Sequence, residues 1–275
     1  MDKATIGGLV VAVGGITAGL LIEGGNLGQI LQPTAAMIVF GGTIGAVLIQ
    51  FPLPIFLSAA KSLGQVLMDK EHNPETLITE MVVYANKARR DGIVSLDSDL
   101  PKIKEPFLKK SLMLAVDGTE PQELRKMMDL ETENQAEREE NIPKVFESAG
   151  GFSPTIGIIG AVLGLIQVMQ HLDKIDEVGR GIAVAFVATI YGVGAANIIF
   201  LPAAGKLKIR IRQQQIVREM MLEGVVSILE GMNPRMLETK LRGYFEQAPN
   251  QDGAKENAVS GNPLVESTME ENSTQ

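Results

Sequence analysis

The sequence predicts an all-α membrane protein with four transmembrane helices and a helical cytoplasmic domain between the second and third of them. Three observations lead to this prediction: four long apolar runs, a polar block that separates them into two pairs, and an uneven distribution of Lys and Arg. The chain has 275 residues, of which 45% are apolar, and these residues are concentrated in the four runs. The overall composition is therefore an average over the apolar runs and the polar segments between and after them.

The four apolar runs have the length that a bilayer crossing needs. They occupy residues 6–22, 34–51, 153–172 and 181–201, and none contains Asp, Glu, Lys or Arg. At about 1.5 Å of rise per residue such helices span roughly 26–32 Å, which matches a hydrocarbon core of about 30 Å. The first run is not interpreted as a secretory signal, because a second uncharged run follows closely without a preceding Ala-x-Ala cleavage site. Buried helices of a soluble protein are the disfavoured alternative.

The composition excludes several classes of function. Cysteine is absent, which excludes disulfides, iron–sulfur clusters and cysteine nucleophiles, and two histidines are too few for a histidine-rich metal site. The formal net charge of −8 argues against a nucleic-acid-binding protein. We find no nucleophile–base pair and no phosphate-binding glycine loop in the sequence, so we do not predict an enzyme.

Lys and Arg are placed as expected for two cytoplasmic termini. The loop 23–33 contains neither residue type and the loop 173–180 contains only Lys174 and Arg180, whereas both long polar segments are rich in them. The predicted parts are a transmembrane hairpin at 1–51, a cytoplasmic helical domain at 52–152, a second transmembrane hairpin at 153–202, cytoplasmic helices at 203–248 and a disordered tail at 249–275.

The spans lack the ionisable residue that a transporter or pump usually carries within the membrane. Either this chain moves no ion, or another chain supplies the carboxylate. Small residues such as Gly157, Gly160 and Gly164 in the third span would let helix backbones approach closely. Two interpretations of these small residues stay open: ordinary packing inside one chain, or a crowded assembly in which the third and fourth spans line a shared interior.

Four residues of the second hairpin have both a structural and a functional interpretation. Pro154 opens the third span and Pro202 closes the fourth on the same side of the membrane, positions where Pro is also common as a helix start or stop. In the functional interpretation both prolines transmit motion from the membrane to the cytoplasm. Thr189 and Asn197 are polar residues inside the fourth span. Each could bond a carbonyl one turn back or face a water-filled path.

Three stretches resemble the MotA/PomA family of flagellar stator proteins, within the MotA/TolQ/ExbB superfamily. The longest is LGLIQVMQHLDKIDEVGRGIAVAFVATIYGVGAANIIFLPAAGKLKIR, and the others are PTAAMIVFGGTIGAVLI and ANKARRDGIVSLDSDL. The resemblance covers residues 5–245 in the family's order. The ExbB/TolQ energisers of envelope transport or division are similar around the last two spans but lack the leading hairpin, and they are the alternative prediction.

The resemblance implies a stator subunit of the bacterial flagellar motor in the inner membrane, acting in motility and chemotaxis without a cofactor. It implies a pentamer of this chain around a single-span MotB/PomB-type partner that is anchored to peptidoglycan. That partner would supply the missing aspartate. The resemblance also implies a cytoplasmic contact with the flagellar rotor switch protein, through which ion flow becomes rotation.

The resemblance further assigns roles to individual residues. Arg89, with Arg90 beside it, occupies the basic position that faces the rotor. Asp97 occupies the matching acidic position, where the family commonly has Glu, so the charge is kept while the side chain is one methylene shorter. Pro154 and Pro202 match the two prolines that couple ion flow to movement in the family.

The resemblance also bears on the transported ion. Thr189 matches the family's hydroxyl position near the ion path. Sodium-type members tend to carry a second hydroxyl in the third span, where this chain has Ala161. A dehydrated sodium ion needs several oxygen ligands, whereas a proton needs only the aspartate and a chain of water molecules. We therefore predict H+ as the transported ion and keep Na+ as the alternative.

Overall fold

The structure is a computed structural model, and it describes residues 3–66 and 74–246. The α-helices of these residues are α1 (Lys3–Ile22), α2 (Pro33–Gln50), α3 (Leu53–Val66), α4 (Pro74–Asp91), α5 (Pro106–Val116), α6 (Pro121–Gln170), α7 (Ile175–Leu229) and α8 (Pro234–Glu246). Short 3-10 helices at Leu27–Gln29 and Ile93–Lys102 lie in the connections. The predicted disordered tail, 249–275, lies outside the described residues.

Four of these helices, α1, α2, α6 and α7, are long and apolar enough to cross a membrane. They cover the four runs that the sequence predicts as spans, except for one residue at the end of the second run and two at the end of the third. α2 packs against α7 through Ala35 and Val39, which form a small buried cluster with Val187 and Ala188. α1 buries none of its residues within the chain. The membrane part is therefore packed around α2, α6 and α7, with α1 at its side.

α6 and α7 are much longer than the spans that they contain. α6 has 50 residues and α7 has 55, so each continues from its apolar run into the polar part of the chain. The polar stretches before the third span and after the fourth do not form separate helices, because the structure joins each of them to its span. Pro143 and Pro154 lie inside α6 without ending it. The predicted boundaries at 152 and 202 thus fall inside continuous helices.

The polar ends of α6 and α7 form a closed core with α4, α5 and α8, and we call this assembly the polar domain. Apolar residues at helical spacing face inward, including Ile78 and Met81 of α4 and Leu108 and Leu112 of α5. Leu237 of α8 covers the same core. Each helix is amphipathic, so its single apolar stripe is buried when the five helices meet.

The first helix of the polar domain breaks at Asp91-Gly92. α4 ends at Asp91 and Gly92 adopts a φ of 83°, a conformation that favours glycine. The chain then turns back into the 3-10 helix Ile93–Lys102, which packs on α4 through the buried side chains of Leu96 and Leu100. This turn brings the residues after the break next to the end of α4.

α3 is amphipathic. Ala59 is buried against α6, with Ile55 and Phe56 half-buried beside it. Leu53 and Leu57 are exposed on the other side. An exposed apolar face directly after a membrane span agrees with a helix that lies along the membrane surface.

Candidate functional site

The contact between α6 and α7 is built from small residues of both helices. A Cβ atom on Gly157 would lie 2.9 Å from the carbonyl oxygen of Ala188, and one on Gly192 would lie 2.5 Å from the carbonyl oxygen of Ser153. The two backbones therefore touch in the apolar part of the helices, and larger residues would separate them. At these positions the small residues serve packing within one chain.

Other small residues of the spans face open space. A Cβ atom on Gly41, Gly45 or Gly194 would meet nothing within 4 Å. Large apolar side chains of α6 and α7 are also exposed in the spans, and they include Ile158, Ile159, Val162, Leu163, Phe186 and Ile190. For this surface the second interpretation, contact with other subunits in an assembly, stays open.

Thr189 and Ala161 flank the contact between α6 and α7, and both are half-buried. Thr189 Oγ1 donates a hydrogen bond of 3.3 Å to the carbonyl oxygen of Ala185, one turn back. Ala161 adjoins Gly160, where a Cβ atom would lie 2.8 Å from the Cβ of Ala188, the neighbour of Thr189. The structure thus brings the two predicted ion-path residues to neighbouring positions on facing helices.

The two prolines lie on either side of one helix–helix contact. A Cβ atom on Gly192 would lie 3.2 Å from the Cα of Pro154. One turn earlier on α6, a Cβ atom on Gly150 would lie 2.7 Å from Cδ2 of Leu201, which directly precedes Pro202. A change of helix direction at either proline would therefore disturb the same contact.

Two π-helical segments interrupt the membrane helices, and the sequence analysis missed both. One covers Ala195–Phe200 in α7 and the other Met37–Gly41 in α2. Pro202 follows the first segment closely; because its ring crowds the carbonyl four residues earlier, a wider turn before it relieves the clash. Pro202 was therefore the available signal for the segment in α7. We see no comparable signal for the segment in α2.

Ser153 is a buried polar residue that the sequence analysis also missed. Its side chain is fully buried, and its hydroxyl has no hydrogen-bond partner among the described residues. It directly precedes Pro154, whose missing N–H leaves the carbonyl of Gly150 without its usual helical donor. Two polar groups of α6 thus lack ordinary partners where α6 meets α7.

Arg89, Arg90 and Asp97 are all exposed at the end of the polar domain. Arg90 donates hydrogen bonds of 2.8–3.1 Å to the carboxylate of Asp91. This bond raises the pKa of the Arg90 guanidinium and lowers the pKa of the Asp91 carboxyl. Arg89 and Asp97 have no hydrogen-bond or ion-pair partner among residues 3–66 and 74–246. Of the three predicted rotor-facing residues, Arg89 and Asp97 therefore present charges that no neighbour offsets.

The position of Asp97 is supported by ion pairs of its neighbour Asp99. Lys87 Nζ of α4 lies 2.5 Å from one carboxylate oxygen of Asp99, and Lys102 Nζ lies 2.8 Å from the other. Hydrogen bonds from Lys102 and Lys87 hold the pKa of the Asp99 carboxyl below its usual value. The pair with Lys87 ties the 3-10 helix, which contains Asp97, to α4, which contains Arg89.

Ion pairs also join the polar ends of α6 and α7. The pairs are Lys208–Glu147, Arg218–Glu139 and Arg125–Glu223, with N–O distances of 2.5, 2.9 and 2.6 Å. In the first two pairs the acidic residue lies on α6 and the basic one on α7, and in the third pair the polarity is reversed. A displacement of either helix in the membrane would be shared by both helices in the polar domain.

Comparison with known proteins identifies the family. A motility protein A N-terminal model matches residues 6–92, and the model of the MotA/TolQ/ExbB proton channel family matches residues 99–220. Motility protein A of Bacillus subtilis is 35% identical, and the alignment covers 93% of this chain and 98% of that protein. The chain belongs to the motility protein A family.

Other members of the family are similar over nearly the whole chain. Chemotaxis protein PomA of Vibrio alginolyticus is 32% identical, covering 90% of this chain and 96% of PomA. The structure of C. jejuni MotAB matches with a TM-score of 0.85 at 32% identity, covering 91% of this chain and 98% of that one. The flagellar MotAB stator complex from Bacillus subtilis matches with a TM-score of 0.81 at 35% identity, covering 92% and 99%.

These matches confirm the predicted family and the all-α fold class, and with them the function. The chain is a stator subunit of the bacterial flagellar motor. The ExbB/TolQ alternative is not favoured, because the leading hairpin that those proteins lack is matched here by the motility protein A N-terminal model. The four apolar helices and the family also indicate a multi-pass protein of the inner membrane.

Proposed function

We propose that this motility protein A forms a pentamer around a single-span, peptidoglycan-anchored partner of the MotB type. The observation that supports this most directly is the combination of exposed apolar helices with the absence of Asp, Glu, Lys and Arg from all four runs. Such spans offer a surface for other helices but no group that binds an ion in the membrane. The partner would supply that group as an aspartate within its own span.

The transported ion in this proposal is H+. The half-buried Thr189 hydroxyl is a polar group near the middle of the fourth span, and Ala161 on the facing helix adds no oxygen ligand. A proton can pass along water molecules to the partner's aspartate with this little support, whereas a sodium ion requires several oxygen ligands at once. No cofactor takes part in this passage.

Both termini and the polar domain lie in the cytoplasm in this proposal. The support is the distribution of Lys and Arg, which are abundant in 52–152 and 203–275 and absent from the loop 23–33. The short loop between α6 and α7 then faces the outside of the cell. Pro154 and Pro202 lie at the cytoplasmic ends of their spans.

The mechanism is physical and involves no covalent catalysis, so the chain is not an enzyme. Each elementary charge that crosses the membrane releases about 2.3 kcal/mol per 100 mV. Binding of the ion neutralises the partner's aspartate and changes its contacts with the surrounding α6 and α7 helices, and the ring of subunits steps around the partner. The ion pairs between α6 and α7 then carry this step to the polar domain, with Pro154 and Pro202 as the positions where helix direction changes.

The polar domain acts on the rotor switch protein through charge. Arg89 and Asp97 are exposed and unpaired within the described residues, so the electric fields of their charges extend into the solvent. At physiological salt such fields extend over about 8 Å. Arg90 contributes less, because the Asp91 carboxylate lies against its guanidinium. A moving pattern of opposite charges would push complementary groups on the rotor without a permanent bond.

Reconstitution in lipid vesicles tests this proposal. Vesicles with this chain alone are expected to hold an imposed proton gradient, and vesicles that contain the chain with its partner are expected to lose it. The matched control is a partner in which the intramembrane Asp is replaced by Asn. Vesicles that contain the chain with this partner should again hold the proton gradient. A robust proton current from this chain alone would overturn the proposal, because the chain would then contain its own ion-binding group.

A further inference from the structure

The connection between α1 and α2, residues 23–32, meets α7 far from the outer end of that helix. Ile30 packs against the buried cluster of α2 and α7 that includes Val187. α7 begins at Ile175, twelve residues before Val187, and this distance corresponds to roughly 18 Å of helix. Val187 also lies inside the apolar run 181–201. The connection is therefore beside a part of α7 that the sequence predicts to be within the membrane.

The hydroxyl of Tyr191 ties this connection to α7. It donates a hydrogen bond of 2.5 Å to the carbonyl oxygen of Ile30 and accepts one of 3.3 Å from the N–H of Gln32. The same two backbone groups also share a bond of 3.1 Å across a tight three-residue turn. The ring centroid of Tyr191 lies 6.0 Å from that of Phe40 in α2. One side chain of the fourth span thus holds the start of α2 in place.

The rest of the connection provides partners for most of its own backbone N–H groups. The side chain of Asn26 accepts a hydrogen bond of 3.0 Å from the N–H of Gly28, and the side chain of Gln29 accepts one of 3.3 Å from the N–H of Asn26. The residues whose N–H groups donate to backbone carbonyls include Glu23, Gly24, Gly25, Gln29 and Ile30. Lipid supplies no hydrogen-bond partner, so a segment at membrane depth must satisfy its backbone within the protein. The connection meets this requirement over most of its length.

The connection also differs in composition from the loop between α6 and α7. Leu27 and Leu31 are 46% and 72% exposed in this chain. Glu23, directly after α1, is the one charged residue among 23–32. The loop before α7 and the first turn of α7 together carry four, which are Asp173, Lys174, Asp176 and Glu177. The first composition suits contact with acyl chains, whereas the second requires water.

We propose that the α1–α2 connection lies below the lipid headgroups, with Leu27 and Leu31 against acyl chains, and that Tyr191 is the residue that holds it there. Glu23 limits this depth, because a carboxylate is costly within the membrane, so the end at α1 lies nearer the headgroups than the end at α2. The connection and the α6–α7 loop then lie at different depths on one side of the membrane. This inference rests on the proposed function only in calling that side the outside of the cell.

Spin-label accessibility measures the depth in vesicles that contain the full-length chain with a cysteine-free partner. The chain has no cysteine of its own, so Leu31→Cys and Asp173→Cys each carry a single nitroxide. Oxygen concentrates in lipid and a water-soluble nickel chelate stays outside it, and lipids labelled along their acyl chains calibrate the depth. We expect the ratio of oxygen to nickel relaxation to be several-fold higher for Leu31→Cys than for Asp173→Cys.

Two results would overturn the depth or the lipid contact. Equal ratios for Leu31→Cys and Asp173→Cys would place the connection in water. Protection of the Leu31→Cys label from both oxygen and nickel would mean that protein covers it. Failure of the proposed orientation is seen separately in spheroplasts, where Asp173→Cys would react with an impermeant thiol reagent only after lysis, while the depth of the connection would stand.

Tyr191→Phe tests the role of the hydroxyl. It keeps the ring and removes both hydrogen bonds, so the carbonyl of Ile30 loses its closest partner. The connection should then move toward the headgroups, and the ratio of oxygen to nickel relaxation at Leu31→Cys should fall. Tyr84→Phe, which removes a hydroxyl from the polar domain, is the matched control and should leave the ratio unchanged. An unchanged ratio in Tyr191→Phe would overturn the assignment of Tyr191.

Discussion

Apolar residues are buried within the chain in the polar domain, whereas the same kinds of residue are exposed on the membrane-spanning helices. In the polar domain Leu108, Leu112 and Leu237 are 0% exposed, whereas Ile159 of α6 is 55% and Phe186 of α7 is 69% exposed. The polar domain completes its packing within one chain. The spans leave apolar surface for lipid, further copies and a partner helix. Substitutions should therefore affect folding in the first region and assembly or ion passage in the second.

Leu237→Ala is expected to have the largest effect, because it tests the closed core directly. Truncation of a fully buried Leu costs about 2–5 kcal/mol of unfolding free energy, which is a large part of the stability of a domain. Thermal unfolding of the detergent-solubilised complex, followed by circular dichroism, measures the loss. Leu130→Ala is the matched control, since Leu130 is 60% exposed in the same domain. Equal losses in the two variants would contradict the assignment of Leu237 to the core.

Thr189→Ile is expected to stop swimming while leaving the fold intact. The hydroxyl of Thr189 bonds only a carbonyl of its own helix, so its loss costs little, but the larger apolar side chain would fill the predicted ion path. Swimming speed and membrane abundance are measured together. Thr17→Ile in α1 is the control, because Thr17 also bonds a carbonyl one turn back and its helix is not predicted to line the path. Unchanged speed in Thr189→Ile would mean that Thr189 faces elsewhere.

Gly192→Ala tests the tight packing between α6 and α7 within the chain. The added methyl would meet the carbonyl of Ser153, and such overpacking costs roughly 1–3 kcal/mol. Gly194→Ala, two residues further along α7, adds the same methyl into open space. We expect a lower thermal midpoint for the first variant alone. If Gly194→Ala instead lowers recovery of the assembled complex, Gly194 lies in a contact between subunits.

Much of the difference between the polar domain and the membrane spans could be predicted from the sequence, because hydropathy and charge are properties of short segments. The four spans follow from uncharged runs of bilayer length, and the end of α4 follows from Asp91-Gly92, where the glycine φ of 83° makes the break. Arg89 and Asp97 are both exposed in the polar domain, and their contact with a rotor remains a prediction.

The features that the sequence analysis missed depend on contacts between distant parts of the chain. A proline inside a helix costs about 3 kcal/mol, and α6 continues through Pro143 and Pro154 where α7 packs along it. The pair Arg218–Glu139 joins residues 79 positions apart, so no pattern within a short stretch of sequence predicts it. The unpaired hydroxyl of Ser153 likewise becomes visible only when the facing helix is in place.

Arg89→Glu tests the outward-facing charge of the polar domain and should reduce swimming speed without unfolding the protein. Arg89 has no partner in the described residues, so stability should change by less than about 0.5 kcal/mol, as for ordinary surface substitutions. Swimming speed and thermal unfolding are compared with those of Arg138→Glu, which reverses an exposed Arg on α6 away from this surface. Normal speed in Arg89→Glu, together with normal speed in Asp97→Lys, would remove the rotor-contact assignment.

The smallest expected effect is a loss of stability in Asp99→Asn that is the same at pH 5 and pH 8. Lys102 and Lys87 hold the pKa of Asp99 below its ordinary value of 3.8, so the folded protein binds this proton less readily than the unfolded chain. The resulting stabilisation is complete above the ordinary pKa and is lost only as the pH falls through the lowered one. Thermal midpoints of the parent and Asp99→Asn should therefore differ by a constant amount above about pH 5 and converge below about pH 4. Asp97→Asn, which removes an unpaired carboxylate two residues away, is the control and should have the thermal midpoint of the parent over the same range. If the difference in thermal midpoint between the parent and Asp99→Asn instead grows toward acidic pH, the ion pairs of Asp99 are contradicted.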